Sequence, residues 1–243
     1  LRCASVTLTR KGRPVTVQAG ASGAGRELAA RTADVVFTAQ QTQEEARAFY
    51  ADLNARAGAF GRAPGAIRIM PGLFPIVAPT RAEAEDRFAA LQDLIHPAIG
   101  LDLLTGGWMR DVLERCDPDA PPPDLPFATN GSQSRQALLF DMARREGLTL
   151  RQLYLKVAGA RGHQQVVGTP ADIADAMQER FEARGADGFN IMPPLMPEAL
   201  DDFIALVLPE LRRRGLFRER YEAATLRGHL GLPIPPLPER SLT

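Results

Sequence analysis

The pattern of apolar and polar positions predicts strands and helices in alternation along the first part of the chain. An apolar, β-branched run at Val15 to Gln18 predicts a strand, and a turn of small residues separates it from a helix at Arg26 to Thr32. A second buried strand is predicted from Ala33 to Thr38. It precedes a helix from Gln43 to Phe60, whose apolar residues recur at helical spacing on one face: Ala46, Phe49, Leu53 and Ala57.

A third unit of the same kind begins at Ile67. A strand is predicted from Ile67 to Ile69, extended as far as Pro71, and Thr80 is the predicted N-cap of a helix from Arg81 to Leu94. The chain therefore opens with three strand-helix units in succession.

A long insertion interrupts this rhythm between His96 and Gln165. It contains a proline-rich stretch from Pro118 to Pro126 and a helical pattern from Ser134 to Arg145. Excursions of this kind on a regular scaffold are typical of lids and binding loops. The insertion is therefore predicted to be a lid or a binding loop.

The regular pattern resumes after the insertion. Thr169 is a predicted cap and Pro170 the first residue of a helix, which presents one apolar face and ends near Gly185. That face is formed by Ile173, Met177 and Phe181. A fourth buried strand is predicted from Asp187 to Ile191, and a last helix from Pro197 to Arg214.

Four strand-helix units predict an α/β fold with a parallel sheet and helices outside, because right-handed crossovers return each strand alongside the last. A doubly wound sheet and half of a (β/α)8 barrel both satisfy this pattern, and four strands cannot close a barrel of eight. We treat residues 1–243 as a single partial domain. Its parts are the first three units (14–95), the insertion (96–166), a helix, strand and helix (167–214) and a tail (215–243).

Composition narrows the classes of partner. The formal net charge is zero and apolar residues make up 45% of the chain, so neither nucleic acid nor an anionic membrane is expected as a partner. Cys3 and Cys116 lie far apart without metal-ligand spacing, and no apolar run has the length of a signal peptide or a membrane span. These features predict a cytoplasmic protein without a metal site.

The turn after the first strand carries the strongest chemical signal. Gly20 to Gly25 is rich in small residues and leads into a helix, so its backbone amides can approach an anion at the helix N-terminus. Ser22 would donate its hydroxyl to a phosphate and Gly23 would offer an uncrowded amide. A tight turn with close helix packing explains the same residues. A dinucleotide fingerprint and a P-loop lysine are both absent from the segment.

Other polar residues fit structural roles. His96, His163 and His229 stand in separate segments without ligand spacing, so each is expected to be an ordinary surface or half-buried residue. Asp201-Asp202 fits the start of a helix better than a metal pair, because adjacent helical residues point in different directions. The charged run Glu210 to Arg220 predicts a solvated face. A subunit contact through it, and hence a homo-oligomer, stays open.

Six segments in matched order resemble one family. They are Gly12–Ala30, Ala33–Gln40, Ile69–Leu73, Val167–Pro170, Asp187–Asn190 and Leu211–Arg218. Together they are similar to the nitrilotriacetate monooxygenase component A family, the branch of the bacterial-luciferase-like flavin monooxygenases that includes dibenzothiophene-sulfone monooxygenase. The resemblance extends over nearly the whole chain and implies a TIM-type barrel, of which this sequence holds the fifth to eighth strands.

The resemblance also implies a cofactor and a partner. In this family the serine of the first turn contacts the phosphate of FMN, which carries over to Ser22, with Gly23 beside it as a backbone donor. A separate flavin reductase supplies reduced FMN (FMNH2), oxygen adds at the flavin C4a to give a peroxide, and that species oxygenates a small organic substrate. The catalytic residues and the substrate itself stay unknown.

The sequence also leaves a second function open. The chain begins with Leu1 rather than Met and its first predicted element follows almost at once, so we expect a truncated chain. A catalytically inactive half-barrel, acting only through association with another chain, is the alternative. It predicts exposed apolar edges at Val15 to Gln18 and Asp187 to Ile191.

Overall fold

The structure is a computed structural model that describes residues 13–106, 109–124 and 133–234. The chain divides into two compact units. Unit 1 comprises Leu1–Gly72, Ala176–Asn190 and Leu208–Thr243, and unit 2 comprises Leu73–Asp175 and Ile191–Val207.

Parallel strands form the centre of unit 1. Strand β1 (Val17–Ala19) pairs with β2 (Val35–Thr38), and β2 pairs with the first half of β3 (Arg68–Val77). Ala19 lies beside Phe37, and Phe37 lies beside Met70. The parallel order agrees with the predicted strand-helix units, because each crossover between these strands contains a helix.

Two helices cover one face of this sheet. Helix α1 (Gly23–Thr32) follows β1, and α2 (Gln43–Ala59) follows β2 behind a capping box of Thr42 and Glu45. Their buried residues form a core with Val36 of β2 and with Ile67 and Ile69 at the start of β3: Ala29, Ala30, Phe49, Leu53 and Ala57. The predicted apolar face of α2 is therefore confirmed, since Ala46 is buried as well.

The second half of β3 lies in unit 2 and pairs in parallel with β4 (Gln164–Gly168). Helix α3 (Arg81–Asp93) follows β3, and Thr80 forms the predicted cap together with Glu83. The strand predicted to end at Pro71 thus continues to Val77, because the five residues from Leu73 to Val77 pair with β4.

The insertion is mostly helical. It contains α4 (Pro97–Thr105), α5 (Arg110–Leu113), α6 (Gln133–Glu146) and α7 (Leu150–Ala160). These helices bury a second apolar core in unit 2, which includes Leu104, Phe140, Leu153, Tyr154 and Val157. The predicted helical pattern of Ser134 to Arg145 is confirmed by α6. The other three helices and β4 were not predicted.

Helix α8 (Pro170–Glu182) starts at the predicted proline. The Asp172 carboxylate accepts hydrogen bonds from the Thr169 amide at 2.8 Å and the Thr169 hydroxyl at 2.7 Å. Ile173 is fully buried, but Phe181 is 49% exposed. The predicted apolar face of α8 is therefore wrong at its last residue.

The fourth predicted strand is shorter than expected. Strand β5 contains only Asn190–Ile191. The Ile69 amide donates to the Asp187 carboxylate at 2.8 Å, and the Asp187 amide donates to the Ile69 carbonyl at 2.8 Å. The Asp187 side chain thus replaces a backbone acceptor, so the regular strand pairing of β5 begins only after Asp187.

The predicted helix from Pro197 to Arg214 is interrupted. Helices α9 (Glu198–Asp202) and α10 (Leu208–Arg213) flank a π-helical turn at Phe203–Val207. Pro209 cannot donate an amide hydrogen bond to the preceding turn, and the wider π-helical spacing falls directly before it.

A buried ion pair anchors the last described segment to the start of the sheet. In α11 (Leu226–His229), the Arg227 guanidinium donates to both Asp34 carboxylate oxygens, at 3.1 and 2.7 Å. Arg13 donates to the same carboxylate at 2.6 and 2.9 Å, and the Thr16 amide at 2.9 Å. Arg68 holds the chain beyond α11 by donating to the Leu230 carbonyl at 2.7 Å. We call the contact of Asp34 with Arg13 and Arg227 the arginine clasp.

Among the helices that the structure describes, none combines the length and the hydropathy that a membrane crossing requires.

Candidate functional site

The turn between β1 and α1 contains both residues predicted to bind a cofactor. Gly20 has a φ of 135°, which side-chain-bearing residues rarely adopt, and Ser22 is extended at φ −66° and ψ 158°. The Ser22 hydroxyl accepts a hydrogen bond from the Gly25 amide at 3.1 Å and so caps α1. The helix therefore begins at Gly23, three residues before the predicted start at Arg26, because Ser22 supplies the cap.

This turn offers unused hydrogen-bond donors. The amides of Gly23 and Ala24 occupy the first helical positions, which have no intrahelical acceptor, and no described residue accepts from them. Ser22, Gly23 and Ala24 are exposed, and the first turn of α1 contains no acidic residue. The Ser22 oxygen accepts from Gly25, which leaves its own proton for another acceptor. The turn can therefore receive an anion from solvent.

The two glycines of this helix start have different surroundings. A Cβ atom on Gly25 would lie 3.1 Å from the Ser22 Oγ atom and 3.5 Å from the Gly20 backbone. A Cβ atom on Gly23 would meet nothing within 4 Å. The absence of a side chain at Gly25 thus leaves room for the Ser22 hydroxyl close to the helix. At Gly23 it only leaves the backbone amide uncrowded.

The nearest cation in sequence is engaged with protein groups. Arg26 donates to the Ala21 carbonyl at 2.9 Å and to the Asp52 carboxylate at 2.7 Å. Hydrogen bonds from Arg56 and Arg26 outweigh the effect of burial on Asp52, so the pKa of this carboxyl lies below its ordinary value. Arg26 therefore fixes the turn, and the donors available to an anion are backbone amides and one hydroxyl.

The carboxyl end of β2 lies next to that of β1 and adds polar atoms that sequence reasoning missed. The Gln40 side-chain amide donates to the Thr38 hydroxyl at 2.6 Å, and its carbonyl oxygen is buried without a hydrogen-bond partner among the described residues. Because buried polar atoms are generally hydrogen-bonded, this oxygen can accept from water or a ligand. The available signal was two polar residues, Thr38 and Gln40, where an apolar strand ends.

A buried arginine holds the loop after β2. Arg180 of α8 is 2% exposed and donates to the Gln40 carbonyl at 3.0 Å and the Gln41 carbonyl at 3.3 Å. Burial lowers the pKa of the Arg180 guanidinium, and the distant charges of Glu45 and Glu179 oppose this only in part. Its contribution is to fix the loop backbone.

The remaining candidates occupy structural positions. The His96 ring nitrogen accepts from the Ala98 amide at 3.3 Å and caps α4, and the His229 ring meets Tyr221 edge-on at 4.7 Å. Asp202 pairs with Arg87, while Asp201 is exposed. Within the described ranges, no three His, Cys, Asp or Glu side chains form a group that could hold a metal ion.

A groove of about 840 Å³ follows the outer surface of α2 in unit 1. Its lining includes Arg47, Tyr50, Asn54 and Arg184, and neither Ser22 nor Gly23 contributes to it. The Tyr50 hydroxyl donates to Asp187 at 2.9 Å. This groove is therefore separate from the turn that sequence analysis identified.

Parallel strands that alternate with helices, with a small-residue turn at the carboxyl end of one strand, define the α/β class of folds, in which binding sites lie at that end of the sheet. The chain belongs to the luciferase-like monooxygenase family, which residues 2–188 match. Family membership confirms the resemblance inferred from the sequence.

Three known proteins are similar to nearly the whole of this chain. It is 48% identical over 226 residues to nitrilotriacetate monooxygenase component A of Aminobacter aminovorans, an alignment that covers 93% of this chain and 50% of that protein. EDTA monooxygenase from Chelativorans sp. BNC1 is similar in structure, with a TM-score of 0.74, 30% identity and coverage of 94% of this chain and 51% of the other. A riboflavin lyase solved with modified FMN and riboflavin gives a TM-score of 0.73 and 32% identity, covering 91% and 48%.

These similarities confirm the predicted fold class, an α/β arrangement with the parallel sheet of the luciferase-like TIM-type barrel. The chain spans about half the length of the curated relatives it matches.

Proposed function

We propose that this chain is the carboxyl-terminal half of a cytoplasmic flavin monooxygenase that uses reduced FMN from a separate reductase to oxygenate a small organic substrate. The observation that supports it best is the β1–α1 turn, which presents exposed amides and the Ser22 hydroxyl in a chain of the luciferase-like family. The FMN-bearing riboflavin lyase is similar over nearly the whole chain.

The residues at the turn suit a phosphate group. Ser22 would donate its hydroxyl proton to a phosphate oxygen while still capping α1, and the Gly23 and Ala24 amides would add two donors along the helix axis. A dianion there gains from the helix dipole, and no acidic side chain in the first turn opposes it. Bound reduced FMN supplies the oxygen-activating chemistry, and this chain binds and orients its phosphate end.

The second candidate function is a half-barrel without flavin binding of its own. The half-length match to the relatives favours it, because about half of each relative, with any part of a flavin pocket that it contains, lies outside the matched region. In that case FMN would bind only when an amino-terminal half is present.

Titration with anaerobically reduced FMN and with reduced riboflavin tests the phosphate contact. We expect weak FMN binding that exceeds riboflavin binding, and Ser22→Gly should reduce FMN affinity by about fivefold, the equivalent of one hydrogen bond of about 1 kcal/mol. Glycine is chosen because it costs an N-cap only a few tenths of a kcal/mol.

Thr42→Gly is the matched control, since it removes the equivalent cap from α2. It should leave both affinities unchanged. Equal affinity for FMN and riboflavin would refute the assignment of the turn. Binding that appears only after addition of an amino-terminal half would favour the second candidate.

A further inference from the structure

The groove on the outer surface of α2 has the size and the apolar lining of a small-molecule site. Its volume of about 840 Å³ lies within the range of about 300–1,000 Å³ that such sites occupy. Small apolar residues line it on α2, in the loop before β3 and directly after α8: Ala48, Ala51, Pro64 and Ala183. The groove therefore has room for the apolar body of an organic ligand.

Two arginines in the lining of the groove have no ion-pair partner among the residues that the structure describes. Arg47 stands one helical turn after Glu44, which also lines the groove, but the two side chains form no ion pair. Arg184 is exposed and equally unpaired. Elsewhere on α2 an arginine does find a carboxylate, since Arg56 pairs with Asp52 at 2.9 Å. The groove thus offers guanidinium groups that a charged ligand can engage.

A third guanidinium group borders the groove beside Gly65. The Arg68 Nη1 atom lies 3.5 Å from the position that a Cβ atom on Gly65 would take, and Gly65 is a lining residue. Arg68 donates through Nε to the Leu230 carbonyl and through Nη2 to the Gly231 carbonyl. In the described part of the chain its Nη1 atom has no acceptor, so it is available as well.

The carboxylates near these arginines do not neutralise them. Both Asp187 oxygens accept hydrogen bonds, from the Tyr50 hydroxyl at 2.9 Å and from a backbone amide at 2.8 Å. Burial and the Asp187 carboxylate raise the pKa of Tyr50, and the charges of Arg184 and Arg68 oppose this rise, so both cations act on the Tyr50 hydroxyl. Three guanidinium groups against the carboxylates of Glu44 and Asp187 leave one net positive charge at the groove.

The backbone at Arg184 is unusual for its residue type. The Gly185 amide donates to the Arg180 carbonyl at 2.8 Å and the Arg184 amide to the Phe181 carbonyl at 3.1 Å, the two bonds of a Schellman motif. Arg184 occupies the left-handed position of this motif at a φ of 56°, where glycine or asparagine is usual. The helix end therefore gives no reason for an arginine, whereas the side chain lines the groove.

We infer that this groove binds a small organic monocarboxylate, whose carboxylate accepts hydrogen bonds from the arginines of the groove and whose apolar body lies on the alanines of α2. The N–H groups of a guanidinium match the two oxygens of a carboxylate. One net positive charge suits a monoanion better than a phosphate dianion. The Asn54 side-chain amide donates to the Tyr50 carbonyl at 2.9 Å and keeps a second N–H for a ligand.

An NMR titration of the isotope-labelled full chain with benzoate tests this site, with benzyl alcohol as the neutral analogue and inorganic phosphate as the anion without an apolar body. We expect benzoate to shift the amide signals of Ala48, Ala51 and Gly65 and to bind more tightly than either control. Shifts at Gly23 and Ala24 in their place would locate benzoate at the start of α1 and overturn the inference. Equal binding of benzyl alcohol or of phosphate in the groove would overturn it too.

Arg184→Asn separates ligand binding from folding. Asparagine tolerates the left-handed conformation, so the midpoint of urea unfolding should stay the same or rise. Benzoate affinity should fall about tenfold with the loss of a charge-assisted hydrogen bond. Arg220→Gln is the matched control, because Arg220 is exposed and unpaired among the described residues and lies outside the groove lining. It should leave benzoate affinity unchanged, and equal affinities of the two variants would refute the site.

The site in the groove is independent of flavin binding. Ser22→Gly should lower the affinity for reduced FMN and leave benzoate affinity unchanged, because Ser22 does not line the groove. Loss of benzoate binding in Ser22→Gly would place the carboxylate at the β1–α1 turn and overturn the inference. Failure of the FMN titration alone would count only against the proposed function.

Discussion

The arginine clasp predicts that loss of Asp34 destabilises the chain more than loss of Arg13. Asp34 is 5% exposed in its side chain, and so is nearly as buried as Arg227 at 4%. Asp34→Ala would leave the Arg227 charge buried without a carboxylate, which costs about 3–5 kcal/mol. Arg13 is 38% exposed, and Arg13→Ala leaves the buried pair intact, so its cost should be about 0–1 kcal/mol.

Urea denaturation followed by circular dichroism measures both losses at neutral pH. The double variant Asp34→Ala/Arg227→Met removes both buried charges and should recover part of the loss caused by Asp34→Ala alone. An Asp34→Ala variant that is destabilised no more than Arg13→Ala would refute this account, because the buried charge would then have found another partner.

The same carboxylate predicts a pH dependence. Burial alone would raise the pKa of Asp34, but hydrogen bonds from Arg227, the Thr16 amide and Arg13 outweigh it and hold the pKa below the ordinary 3.8. A lowered pKa in the folded state stabilises the protein above the ordinary value, and this contribution is lost as pH falls through the folded pKa. The Asp34→Ala variant should lack that acid-dependent loss.

Two further predictions concern the turn and the loop beside it. Gly23→Ala should stabilise the chain by up to about 1 kcal/mol, because the added methyl group meets no other atom. Gly25→Ala should give no gain, because its methyl group displaces the Ser22 hydroxyl from its capping position. Urea denaturation of both variants measures these changes, and equal gains in the free energy of unfolding would contradict the account. Arg180→Met should change the free energy of unfolding by less than about 1 kcal/mol. Removing a poorly compensated buried charge stabilises the chain, and this gain offsets the loss of two hydrogen bonds to carbonyls. Arg180→Ala should cost about 2–5 kcal/mol more than Arg180→Met by opening a cavity, and similar costs for the two would show that the charge itself is needed.

Local sequence signals predicted the elements whose caps and apolar faces are formed by residues close together in the chain. Thr80 predicted the start of α3, and the spacing of Ala46, Phe49 and Leu53 predicted the buried face of α2. In both cases the deciding contacts occur within one helix or one strand-helix unit, so a short window of sequence contains them.

Contacts between residues far apart in the chain account for the strand lengths and helices that the sequence did not predict. The length of β3 depends on pairing with β4, more than 80 residues later in the chain, and β5 is shortened where the Asp187 carboxylate accepts a hydrogen bond from the Ile69 backbone amide. The helices of the insertion bury their faces against one another, and only the pattern from Ser134 to Arg145 was predicted from the sequence.

The candidate site was predicted in part. Ser22 and Gly23 were recognisable because a run of small residues leads directly into a helix, where backbone amides can approach an anion. Gln40 and Arg180 were not, because they meet only through the packing of α8 against the loop after β2. The role of Ser22 towards a phosphate stays a prediction.

The arginine clasp also sets a time scale for biosynthesis. Arg227 follows Asp34 by 193 residues. At about 5–20 residues per second, a ribosome needs about 10–40 s to make the arginine after the aspartate. During that interval the nascent sheet has its aspartate without the buried cation. The arginine clasp can therefore form only after Arg227 has been made, late in the synthesis of unit 1.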